Sequence, residues 1–149
     1  MLDDKNTTQF IKRLEVAFIK TMKRLKSEMS CLEEGLTPPQ FFVLALLQKG
    51  QRSVTEIAEV MGVKPSAITA IIDRMQESGF VVREREEKDR RVVMVLITEK
   101  GESVFVRSRE KRNHIMKHYL SYLDQVEVEA LVSIFEKLAG VVEMEHQKK

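Results

Sequence analysis

The chain has 149 residues, 43% of them hydrophobic and 32% charged, with 25 Lys and Arg against 23 Asp and Glu for a formal net charge of +2. That length suits one compact domain with its own core, and the balance excludes the low-hydrophobicity composition of disordered chains. No apolar run approaches the ~20 residues of a membrane-spanning helix, Met1-Leu2-Asp3-Asp4-Lys5 lacks the layout of a signal peptide, and the single cysteine excludes an intramolecular disulfide, so a cytoplasmic protein without a membrane partner is expected.

The first element is a long amphipathic helix over about 6 to 30, with Phe10, Leu14, Ala17, Phe18, Met22, Leu25 and Met29 on one stripe. Lys12, Arg13, Lys20, Lys23, Arg24 and Lys26 lie on its other faces and read as a solvated surface. Thr37-Pro38-Pro39-Gln40 is the next helix start: Thr37 can cap, Pro38 suits the first turn, and Gln40 can complete a capping box. Phe41, Phe42, Val43, Leu44, Leu46 and Leu47 make this helix apolar nearly all round, which predicts a place in the middle of a domain, and Gly50 closes it.

Ser53 and Glu56 have the Ser-x-x-Glu spacing of a second capping box. Ile57, Ala58, Val60 and Met61 give that helix its apolar face, and Gly62 can take the left-handed geometry that ends it. After Val63 and Lys64, Pro65 opens another short helix, whose Ile68, Ile71, Ile72 and Met75 turn toward a core and which Gly79 stops. Ser66, Ala67, Thr69, Ala70, Asp73 and Arg74 fall on the remaining faces, which are the groove-facing positions of a helix-turn-helix. Phe80, Val81 and Val82 then lead through Arg83-Glu84-Arg85 and a tip of Glu86-Glu87-Lys88-Asp89-Arg90-Arg91 into Val92-Val93-Met94-Val95-Leu96-Ile97. This is strand, charged tip, strand. The second run is too uniformly apolar to leave one face wet, so cover over most of both faces is expected. A hairpin beside a helix-turn-helix is a wing.

Beyond Thr98 a helix from 99 to about 122 carries Val104, Phe105, Ile115, Met116, Tyr119 and Leu120 amid many charges. Its middle, 107–113, is almost wholly polar and reads as an exposed stem. Asp124 and Glu127 form another cap pair, after which Val128, Leu131, Val132, Ile134, Phe135, Leu138, Val141, Val142 and Met144 line a final helix. This exceeds what one helix on a small domain needs; intrachain packing and a helical dimer interface shared with the N-terminal stripe both account for it.

Three motifs follow the helix-turn-helix in order: Gly79-Phe80-Val81-Val82-Arg83, Asp89-Arg90-Arg91, and Leu96-Ile97-Thr98-Glu99-Lys100-Gly101. Together they resemble the MarR family of bacterial transcription regulators, and the resemblance extends over nearly the whole chain. It implies a mainly α fold with a small β-hairpin, a single domain over 1–149. Within it the winged helix-turn-helix occupies 36–98, a connecting helix 99–119, and dimerisation helices 1–35 and 120–149. It also implies a homodimer that binds a near-palindromic double-stranded DNA operator, expected to be a repressor released by a small-molecule effector and to need no obligatory cofactor. An enzyme is not expected, because no nucleophile, base and orienting group can be assembled from these motifs.

With so small a net charge, DNA affinity must come from local placement of Lys and Arg. Ser66 and Thr69 hydroxyls can read base edges, Ala67 and Ala70 methyls can touch thymine, Lys64 can meet phosphate, and Arg74 lies on the same helix. Ala70 and Lys64 depart from the family pattern, which often has a longer polar or basic side chain at the first position and a capping Ser or Thr at the second. Arg90 and Arg91 suit the narrow, negative minor groove, with Asp89 placed to orient a neighbouring guanidinium. His114 and His118 stand four apart on a helix, a spacing that lets two imidazoles share zinc, with Glu28, Cys31, Glu33 or Glu34 as further ligands. Cys31 is alternatively a peroxide sensor, as in a subgroup of the family. Aromatic and Met residues of the first two helices could line an effector pocket, though core packing accounts for them equally well. The alternatives to an effector-released repressor are a zinc-sensing regulator of the same fold and a winged-helix protein-interaction module that does not bind DNA.

Overall fold

Helices start where a side chain can satisfy their first free N–H groups. The computed structural model describes residues 4–29 and 36–146. Helix α1 spans Asp4–Met29. Helix α2, Pro38–Leu47, begins on Thr37, whose N–H donates to Gln40 Oε1 at 2.9 Å. Helix α3, Val54–Met61, has a complete capping box: the Ser53 N–H donates to Glu56 Oε2 at 2.7 Å and the Glu56 N–H to Ser53 Oγ at 3.2 Å. Helix α4, Pro65–Glu77, relies on its first-turn proline, because Lys64 supplies no capping side chain. Helix α5 is Glu99–Leu120, and α6, Gln125–His146, opens on reciprocal bonds between Asp124 and Glu127. Gly62 (φ 65°) and Gly79 (φ 77°) take the left-handed turns that end α3 and α4. The chain divides into two compact units within α5, residues 1–112 and 113–149.

The predicted hairpin is β2, Val81–Arg85, against β3, Val93–Ile97, in a register that runs from Val81 opposite Ile97 to Arg85 opposite Val93. A third strand, β1 at Arg52–Ser53, pairs with the other edge of β3, so the antiparallel order is β1-β3-β2. Two residues carry no periodicity, which is why the sequence did not announce β1. The cover expected for β3 is present around Val95, which is fully buried, and fades toward the tip, where Val93 is exposed.

The core draws on α2, α3, α4, the sheet and the start of α5, and is centred on Leu44, Ile57, Ile68, Ile72, Met75 and Val95, with Phe41 packed on Phe105 at a ring separation of 5.0 Å. Two expectations change. Helix α2 is not covered all round, since Phe42 keeps 51% of its surface exposed, and Val60 of α3 faces outward as well. Nor is 107–113 wholly an exposed stem: Ser108 is buried, and the Arg112 guanidinium lies 4.3 Å above the Phe41 ring, where desolvation lowers its pKa. Polar letters hid this, because serine is small and an arginine stem packs like an aliphatic chain.

The Leu-x-Thr-x-x-Gly exit has a steric cause. Thr98 Oγ1 donates to the Gly79 carbonyl at 2.6 Å and accepts from the Gly101 N–H at 3.0 Å, binding the end of α4 to the start of α5. A Cβ on Gly101 would stand 2.1 Å from the Phe80 carbonyl oxygen, so no larger residue fits without moving backbone. The terminal helices differ from all this. Helix α1 gives nothing to the buried core and exposes Phe10, Leu14, Phe18 and Ile19; α6 exposes Leu131, Ile134, Phe135, Leu138 and Val142.

Candidate nucleic-acid interface

Burial of Ile68, Ile72 and Met75 fixes the rotation of α4, and that rotation leaves Ser66, Ala67, Thr69, Ala70, Asp73 and Arg74 exposed together. The Thr69 hydroxyl donates to the Pro65 carbonyl at 3.1 Å, so it presents an acceptor and a methyl outward, a narrower vocabulary than a free hydroxyl has. Lys64 precedes the helix in extended geometry and is exposed, as is Arg74 near the other end. The face left exposed is the one that the sequence periodicity leaves outside the core.

At the wing tip the turn over 86–92 is closed by Glu86 N–H to the Val92 carbonyl and Val92 N–H to the Asp89 carbonyl, both at 3.0 Å. Asp89 does not pair with a guanidinium among the described residues. Its carboxylate accepts the backbone N–H of Arg91 at 3.0 Å, so it shapes the tip through the main chain as a turn-forming Asx residue. Arg85 Nη1 reaches the Arg90 carbonyl at 3.4 Å. Arg90 and Arg91 are both exposed within this turn, flanked by the exposed carboxylates of Glu84 and Glu87.

One contact joins helix to wing that the sequence reading missed. Arg83 of β2 donates through Nη2 to Asp73 Oδ1 at 2.5 Å and through Nη1 to Gln76 Oε1 at 2.7 Å. Its signal was the closing arginine of Gly79-Phe80-Val81-Val82-Arg83, read only as part of a strand motif. Lys100 adds a second tie near the base, donating to the Ser78 carbonyl at 2.9 Å with its ammonium 5.4 Å from the Phe80 ring centre.

The metal reading gains no third ligand among the described residues. No group of three or more His, Cys, Asp or Glu able to hold an ion occurs among the described residues. His114 and His118 are exposed on α5, and the His118 ring stands edge-on to Tyr119 and Tyr122. An i, i+4 pair on one helix supplies two donors, while a structural zinc site requires four. Glu28 pairs with Arg24 at 2.7 Å; Cys31, Glu33 and Glu34, and with them the peroxide-sensor reading, lie outside the described residues. An apolar cleft of about 420 Å³ is lined by Phe42, Ala45, Leu46, Lys49, Val60 and Met61, between α2 and α3. No helix among the described residues is long and apolar enough to cross a membrane.

Residues 36–93 match the family model described as MarR family. Over 147 residues, 97% of this chain and 95% of the relative, the sequence is 35% identical to the HTH-type transcriptional repressor MdtR of Bacillus subtilis (strain 168). The crystal structure of the YusO protein from Bacillus subtilis is similar with a TM-score of 0.71 at 37% identity, covering 89% of this chain and 96% of that one. The transcriptional repressor CouR, bound to a 23-mer DNA duplex, is similar with a TM-score of 0.75 at 27% identity, covering 85% of this chain and 92% of that one.

Proposed function

This chain belongs to the MarR family of transcription regulators, and we propose that it acts as a homodimeric repressor whose two winged helices read a near-palindromic operator. It is a DNA-binding regulator and not an enzyme. The observation that carries the finer reading is the pairing of one exposed helix face, Ser66 to Arg74, with a wing that ends in Arg90 and Arg91. A helix fills a major groove and reads base edges there, while an arginine on a thin hairpin fits the neighbouring minor groove. One such unit touches few base pairs. Two units must then be held about 34 to 36 Å apart to meet successive major grooves. The uncovered apolar stripes of α1 and α6 are the surfaces suited to hold them, since a second copy would hide both.

In this reading an effector releases the operator by changing that spacing. The cleft beside Phe42 and Val60 is our candidate seat for it: it is apolar, has Lys49 at its rim, and borders α3, which packs on the recognition helix α4. Selection of bound DNA from a random pool, followed by fluorescence anisotropy on the winning duplex, tests the proposal. A defined sequence bound far more tightly than unrelated DNA is expected. Equal affinity for all duplexes at moderate salt would overturn it.

A further inference from the structure

We propose that Arg83, held between Asp73 and Gln76, is the joint that sets the wing at a fixed angle to the recognition helix, and that this pair of contacts positions DNA-reading groups without touching DNA. The inference rests on the DNA-binding reading above for its consequence, though not for its geometry. Arg83 lies opposite Val95, in the middle of the β2–β3 ladder, and Asp73 and Gln76 are one turn apart on α4. A guanidinium presents two donors in one plane, so gripping two acceptors on one helix face resists rotation as well as separation. Beyond Arg83 the hairpin runs on through Glu84 and Arg85 to the tip, and both of those residues are exposed. At ~3.3 Å of rise per strand residue, a small change of angle at Arg83 becomes a displacement of several ångströms at Arg90 and Arg91.

Magnitude separates positioning from stability. The Arg83 and Asp73 side chains keep 26% and 54% of their surfaces exposed, and ion pairs so placed add little to folding stability. The sign of the Asp73 effect separates positioning from charge. Asp73 stands on the exposed face of α4 beside Ala70 and Arg74, where a carboxylate repels phosphate. If charge alone mattered, Asp73→Ala would tighten DNA binding. If Asp73 anchors Arg83, the same change weakens binding to the specific site.

The test uses the full-length protein carrying Asp73→Ala, Arg83→Gln or both. Each single variant is expected to melt within about 3 °C of the wild type and to lose about tenfold in affinity for the selected duplex, the scale of one lost groove contact. The double variant should lose no more than the worse single one, because both changes break one joint. Tighter binding by Asp73→Ala, or additive losses, would overturn the proposal. A second arm needs no DNA: residual dipolar couplings of amides in β2, β3 and α4. In the wild type, wing and helix should fit one alignment tensor, and in Arg83→Gln they should not. A single tensor in both proteins rejects the joint. Loosening of the wing in a protein that selects no DNA would uphold the joint and reject the DNA-binding reading instead.

Discussion

Ile72 in α4 and Leu138 in α6 are both aliphatic residues on an amphipathic helix, yet the first has no exposed surface and the second keeps 54% of its own. The contrast holds for their regions. Between Leu36 and Phe105 the chain closes its own core with side chains from three helices, a sheet and the start of a fourth helix, while α1 and α6, each taken by itself, display exposed apolar stripes among the described residues. The first region is a finished unit, and the part proposed to meet DNA is a local one, the outer face of α4 with the exposed Arg90 and Arg91 of the wing. The exposed stripes of α1 and α6 are the surfaces that the proposed dimer would cover. In the proposed reading, DNA recognition and dimerisation therefore fall to different parts of one chain.

The contrast breaks most visibly if α6 is given a charge. Leu138→Glu should leave the circular dichroism spectrum unchanged, turn the dimer into monomer in sedimentation, and lower full-site affinity by about 10³-fold, since the second half-site is no longer bound within the same molecule. A dimer that survives the change would mean that α6 does not hold it. The matching change in the closed region acts on folding instead. Ile72→Ala removes a fully buried side chain and should cost about 3 kcal/mol in urea unfolding. A loss under about 1 kcal/mol would show that the core around α4 is less tightly packed than its burial indicates.

Within the closed region, Arg91→Ala should spare both fold and dimer while costing about 1 to 2 kcal/mol of operator affinity. If Arg91 meets phosphate, the log-log salt dependence should flatten by about 0.9. Unchanged affinity and slope in both Arg90→Ala and Arg91→Ala would remove the wing from the interface.

The smallest effect belongs to the α3 cap. Hydrogen bonds from the Ser53 backbone and then its side chain hold the Glu56 carboxylate below its usual 4.5. A group depressed on folding stabilises fully above its unfolded value and loses that contribution as pH falls through its folded one. The wild type should therefore lose melting temperature relative to Glu56→Gln only below about pH 4.5, with a constant difference above it. A difference that grows on the alkaline side would contradict the assignment.

Features legible in the sequence were those written over three or four residues. The boxes at Ser53 and Glu56 and at Asp124 and Glu127 are local geometry, and the period of Ile68, Ile72 and Met75 fixed which face of α4 turns outward. Features that escaped needed distance. Arg83 meets Asp73 across ten residues and two element types; β1 is two residues long and exists only because β3 has a free edge; Arg112 reaches Phe41 from a segment that reads as solvated. The role given to Asp89 was displaced for another reason: a carboxylate at a tight turn finds a main-chain N–H sooner than a mobile guanidinium.

The most direct test of a closed reader doubled by open helices is the stoichiometry and symmetry of its DNA complex. Duplexes selected from a random pool should carry two inverted half-sites centred about 10 to 10.5 base pairs apart, and sedimentation of the complex should give two protomers per duplex. A single unrepeated element, bound at full affinity by one protomer, would contradict it.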